Sequence, residues 1–210
     1  HVADNTENAR LYGLPKDIGP FQLCYNEDLL KQAVAAEGSM TYDQFQAKYH
    51  LGDSVPLNWQ EYIEMCLLLK KGLGSNKYVM GSCEQYPVLF SNNADFVNED
   101  GSEQAMTQDK DGGKFEYALQ WYQDLNFKHG LIPASEASTN TGGYSLYKAK
   151  NALFFFVGPW DCASIWGTTT GEPWGFNQML EPFPYGPGED QVYGTKDDGV
   201  SSVQLGSMGY

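Results

Sequence analysis

Short apolar strands alternating with amphipathic helices predict an α/β fold built on a mixed or parallel sheet. Three observations carry that expectation. Residues 152–157, ALFFFV, are an unbroken apolar run without polar alternation and too short to cross a bilayer, so they read as a central strand covered on both faces. The segments between strands carry apolar residues at helical spacing behind recognisable capping residues. The chain shows no internal repeat and no linker long enough to divide it, so residues 1–210 are expected to form one domain.

In chain order, Pro15, Gly19 and Pro20 interrupt the backbone before the apolar run Phe21 to Tyr25, a first strand. Asn26 is placed to cap a helix. Glu27 and Asp28 suit its first turn, Leu29, Leu30, Ala33 and Val34 share one face, and Gly38 ends it. Thr41 and Gln44 have the spacing of a capping box for a short inserted helix striped by Tyr42, Phe45 and Tyr49. Asn58 and Glu61 repeat that spacing before a longer helix, whose stripe is Trp59, Tyr62, Ile63, Cys66, Leu67 and Lys70. Tyr78 to Met80 follow as a short strand, then a Gly-Ser-Cys-Glu-Gln-Tyr loop and a polar acidic stretch around 91–113.

Phe115, Ala118, Leu119, Tyr122 and Leu125 mark a further helix, closed by Lys128, His129 and Gly130, with His129 as a dipole partner. After the central strand, Gly158 permits a tight turn and Pro159 suits the first position of a new helix. GFNQMLEPFPYGPG reads as a strand entering a Pro/Gly loop, and the final GVSSVQLGSMGY as a strand that stops without a partner.

Composition narrows the function. With 41% apolar and 19% charged residues the chain has the balance of a folded protein. A formal charge of −14 excludes nucleic acid as a partner, because an acidic surface repels a polyanion and releases no counterions. No apolar run approaches the length of a membrane span, and HVADNTENAR lacks the basic-then-apolar pattern of a signal peptide, as expected of a mature or shortened chain. The cysteines at 24, 66, 83 and 162 form no CxxC and give no zinc pattern. They read as buried free thiols, with a Cys83–Cys162 disulfide as the alternative.

Several catalytic and metal motifs are missing their parts. Asp109-Lys-Asp111-Gly112 resembles the opening of an EF-hand, but Gly113 stands at the third ligand position, and Asp111 reads instead as a helix cap. The three histidines are scattered, with no HExxH and no G-x-S-x-G, and there is neither a Walker loop nor G-x-G-x-x-G. No metal site and no cofactor is expected. What remains is an aromatic and polar set: Trp160 with Asp161 after the central strand, and Glu84 with Tyr86 after Tyr78–Met80. An indole offers a flat surface to the C–H face of a sugar ring while carboxylates and helix-terminal N–H groups bind its hydroxyls. The alternatives are a Trp160 that lids the core, an Asp161 that is only a first-turn acid, and an ordinary surface loop at Glu84 and Tyr86.

The ordered segments resemble the family-one extracellular solute-binding proteins, the sugar-binding components of bacterial ABC importers related to maltose-binding protein. LYGLPKDIGPFQLCYNEDLL is similar to a segment of that family in which a strand runs into a YN-x-DLL helix start. PLNWQEYIEMCLLLKK is similar to its P-x-TW-x-E-x helix, ALQWYQDLNFKHGLIP to a helix ending DL-x-x-x-G-x-x-P, and SLYKAKNALFFFVGPW to F-x-x-GK-x-AM…GPW. The likeness runs from about residue 11 to about residue 205, with Leu146 and Ala149 where Phe and Gly are usual, Leu153 for Met, and residues about 39–55 inserted.

The resemblance implies a three-layer α/β/α lobe of the type II periplasmic-binding-protein fold with a mixed sheet. Residues 1–210 would be the C-terminal lobe of a two-lobed protein whose N-terminal lobe lies outside this chain. It implies no enzyme but a mono- or oligosaccharide held between lobes and delivered to the transmembrane subunits of an ABC permease, from an extracytoplasmic position as a periplasmic protein or cell-surface lipoprotein. Trp160 would stack on the sugar, and Glu84 and Tyr86, in EQY, look like a family EPY loop lining the same cleft. Asp161 joins them by its placement. A glycoside hydrolase using Glu84 and Asp161 is the competing reading; it requires carboxyl oxygens about 5–5.5 Å or about 6.5–9.5 Å apart.

Overall fold

The computed structural model describes residues 14–15, 18–20, 22–53, 55–96, 102, 104, 113–134, 140–158, 175–199, 203–205 and 208–209. Along the chain these form β1 (Leu14–Pro15), β2 (Ile18–Pro20), β3 (Gln22–Asn26), α1 (Glu27–Glu37), α2 (Tyr42–Tyr49), α3 (Trp59–Gly72), β4 (Tyr78–Met80) and α4 (Gln85–Phe90). Then follow α5 (Lys114–Phe127), α6 (Asn140–Lys148), β5 (Ala152–Val157), β6 (Gln178–Pro182), β7 (Val203–Leu205) and β8 (Met208–Gly209).

A four-stranded mixed sheet ordered β4-β5-β3-β6 organises the molecule. β4 runs parallel to β5, while β3 pairs antiparallel with both β5 and β6. The ALFFFV run is internal and buried at all six positions, as its lack of alternation requires. Leu23, Tyr25, Phe154 and Phe156 face the larger core with α1, α3 and α5, and Cys24, Phe155 and Val157 meet Tyr147 of α6 on the opposite face. Helices thus cover both faces, giving the α/β/α layering.

Local chemistry explains where the helices begin. The Asn26 carboxamide accepts the Leu29 amide at 2.9 Å, and Gly38 closes α1 in the left-handed region at φ 78°. Thr41 with Gln44, and Asn58 with Glu61, form complete reciprocal capping boxes on α2 and α3. Gly130, at φ 58°, ends the α5 segment, with the Leu131 amide donating back to the Leu125 carbonyl.

Four expectations need correction. The stripe of α3 buries Met65 and Leu69, whereas Leu67 faces outward, because Trp59, Tyr62 and Cys66 set a face one position removed from it. The loop expected after β4 winds into α4 from Gln85, which tolerates Pro87 because first-turn amides lack intrahelical partners. Gly113 is the N-cap of α5, and Asp111 lies outside the described residues. At the end of α5, burial, then the Lys128 charge, lower the His129 pKa, and Lys70 Nζ donates to the His129 carbonyl at 2.6 Å. The carboxyl-terminal segment does find partners, β7 on β2 and β8 on β1.

Candidate functional site

The parallel pair β4 and β5 defines the edge of interest. Tyr78 is level with Ala152 and Met80 with Phe154, and the Gly81 amide donates to the Phe154 carbonyl at 3.0 Å. Both strands therefore leave the sheet at the same edge. β4 releases the Gly81–Glu84 loop there, and β5 runs on to Val157 and the buried Gly158. In α/β sheets the carboxyl ends of parallel strands are where ligand crevices form.

Gly81 is held by close backbone approach. A Cβ at this position would lie 2.6 Å from the Gly143 carbonyl oxygen and 3.1 Å from the Gly143 Cα, so α6 seats directly on the loop that leaves β4. Ser82 and Cys83 are buried behind it, and Glu84, half-buried, occupies the N-cap position of α4 in extended conformation without capping the helix through its side chain. Burial, followed by the nearby Cys83 and Glu84, raises the Tyr122 pKa, which places Glu84 within the electrostatic reach of α5.

Tyr86 presents its ring to solvent at 53% exposure, while Pro87, Val88 and Leu89 of the same helix are buried. The ring is supported from behind. Phe96 meets it edge-on at 5.6 Å and itself contacts Phe90 at 6.2 Å and Phe115 at 5.9 Å. Edge-to-face aromatic packing of this kind orients a ring while leaving a face for a guest. The structure thus brings Glu84 and Tyr86 onto one turn at the shared edge. Trp160 and Asp161 follow β5 in sequence but lie outside the described residues, as does Cys162. Cys24, Cys66 and Cys83 are buried and form no disulfide with one another, while the alternative Cys83–Cys162 pairing reaches outside the described residues; burial pushes the Cys66 and Cys83 pKa values up. Among the described residues no group of three or more His, Cys, Asp or Glu is arranged to hold a metal. None of the described helices is long and apolar enough to cross a membrane.

Two contributors were missed at the level of sequence. Phe96 lies beside Val97 in an otherwise polar stretch, and Gly143 lies in a short helix with few apolar residues; a pair of glycines, Gly142 and Gly143, was the one available sign of close backbone approach.

The sequence profile of the family described as bacterial extracellular solute-binding protein matches residues 2–204, and this chain belongs to that family. No curated protein matches the chain. Among solved structures it is similar to maltose-bound MalE3 of T. maritima, at 22% identity and TM-score 0.58, covering 86% of this chain and 42% of that one. It is similar to the sugar-binding protein MalE of Xanthomonas citri, at 19% identity and TM-score 0.58, covering 94% and 43% respectively. UgpB of Mycobacterium tuberculosis in complex with glycerophosphocholine shares the fold at 15% identity and TM-score 0.55, covering 95% and 46%. These likenesses establish the type II periplasmic-binding-protein architecture, and the chain spans less than half the length of the proteins compared.

Proposed function

We propose that this chain supplies one wall of a carbohydrate-binding cleft in the substrate-binding component of an ABC importer. Residues 1–210 act as a single lobe, a second lobe of the same protein provides the opposing wall, and the loaded receptor delivers a mono- or oligosaccharide to permease subunits from an extracytoplasmic position. Tyr86 carries the reading: an exposed aromatic ring, buttressed by Phe96 and adjacent to Glu84, stands where two parallel strands leave the sheet. Such a ring packs against the apolar face of a sugar while the carboxylate accepts hydroxyl hydrogen bonds. Trp160 and Asp161 extend the same wall in this reading, with Trp160 stacking on the sugar. The role is binding without turnover, in keeping with a family of binding proteins.

Calorimetric titration of the protein containing this chain with a panel of mono- and oligosaccharides, including maltose and maltotriose, tests the proposal. One sugar of the panel is expected to bind without release of new reducing ends, and Tyr86→Ala to weaken it about tenfold with little change in Tm. Absence of binding by every sugar, or hydrolysis of the bound one, would overturn it.

A further inference from the structure

At the opposite edge of the sheet, where β3 ends and β4, β5 and β6 begin, lies a cavity of about 500 Å³. Its lining includes Asp28, Lys31, Gln32, Lys77, Lys150 and Phe176. That volume is within the usual range of small-molecule sites.

The charges around it are unequally satisfied. Lys31 pairs with Glu27 at 2.9 Å, and Asp28 accepts the backbone and side-chain amides of Asn177, each at 3.1 Å. Lys77 and Lys150 have no carboxylate within ion-pair distance among the described residues. Lys77 Nζ donates to the Lys150 carbonyl at 2.9 Å, and Lys150 Nζ to the Gly175 carbonyl at 3.1 Å while lying 5.6 Å from the centre of the Phe176 ring. An ammonium carries three donors, and each of these contacts uses one. In a chain of formal charge −14, two cavity-lining cations that pair with no carboxylate among the described residues, with Asp28 of the same lining already engaged by Asn177, are conspicuous.

The backbone fixes where the Lys150 side chain starts. Lys150 adopts φ 61° where α6 unwinds, with its amide donating to Tyr147 and the Asn151 amide to Leu146. This left-handed position is the one that glycine fills at least cost. From this left-handed position the Lys150 side chain lines the cavity.

We propose that this cavity binds a small anionic molecule. Its phosphate or carboxylate group sits between the Lys77 and Lys150 ammoniums, and an attached ring lies against Phe176. The site is separate from the proposed sugar cleft, being at the other end of the strands.

Phenyl phosphate and benzoate, titrated into the protein at low ionic strength, provide the test, and the tighter of the two identifies the preferred anion. At least one is expected to bind saturably, with amide shifts at residues 28–32 and 175–177. Lys77→Gln and Lys150→Gly should each weaken it about tenfold. Lys150→Gly should melt no lower than the parent, because glycine relieves the left-handed backbone, so lost binding cannot be ascribed to unfolding. No saturable binding of either anion, unchanged affinity in both lysine variants, or shifts confined to residues 81–90 would overturn the proposal.

Discussion

Glu181, on β6, has 1% of its surface exposed, and its two oxygens are treated differently. Oε2 accepts the Gly52 amide at 2.6 Å, whereas Oε1 is buried without a hydrogen-bond partner among the described residues. Burial raises its pKa; the Gly52 bond opposes this and Asp53 adds to it, and the carboxyl is pushed up to about 8 from an ordinary 4.5. Between those values the folded chain holds a proton that the unfolded chain releases. Stability from this group is therefore full below about 4.5 and falls as pH rises towards about 8. Melting curves of Glu181→Gln and the parent should show the variant gaining relative to the parent from pH 5 to 8; a difference independent of pH would contradict the assignment. Nothing local marks Glu181 as buried, since EPFP reads as a polar strand end and its cover comes from Gly52 in the inserted segment. Tyr86 was legible as a candidate from the EQY loop, whereas its support by Phe96 depends on a contact across that polar stretch. Phe96→Ala removes three edge-on contacts and is expected to lower sugar affinity several-fold by freeing Tyr86; unchanged affinity would show that Tyr86 needs no such support.

At the scale of elements, caps were the most readable features because they are written within four residues. The Asn26 cap and the Thr41–Gln44 and Asn58–Glu61 boxes form as their spacing requires. Asn58→Ala should cost about 1 kcal/mol of stability by denaturant unfolding, through loss of the Glu61 amide's acceptor at 2.9 Å. Close approach between elements is less readable. Gly72 ends α3 against α1, where a Cβ would lie 2.7 Å from the Ala33 carbonyl carbon. Gly72→Ala is expected to destabilise by about 1–3 kcal/mol or more, since backbone rather than a movable side chain is in the way; a neutral result would show that the two helices separate freely. The α4 helix escaped a sequence reading for a related reason: six residues containing Pro87 show no helical period, and its buried face is defined by contacts with α5 rather than by its own pattern.

For the whole molecule, the α/β class and the central place of β5 follow from one apolar run, because only a strand covered on both faces has no use for polar residues. Pairing across the chain was not readable in that way. β1 with β8 and β2 with β7 keep one register, from Leu14 opposite Gly209 to Pro20 opposite Val203, so segments near the two ends of the chain run antiparallel side by side. Each strand is only two or three residues long, and no local pattern names a partner that lies at the far end of the sequence. The sheet edges then divide the chemistry. Glu84 and Tyr86 stand at the carboxyl ends of β4 and β5, and the lysine-lined cavity stands at their amino ends. The most direct test of the central claim is amide-shift mapping of the isotopically labelled protein with the tightest-binding sugar from the panel. Shifts concentrated in residues 81–90 and at Val157 and Gly158 are expected, and sugar-induced shifts confined to residues 28–32 and 175–177 would contradict the account.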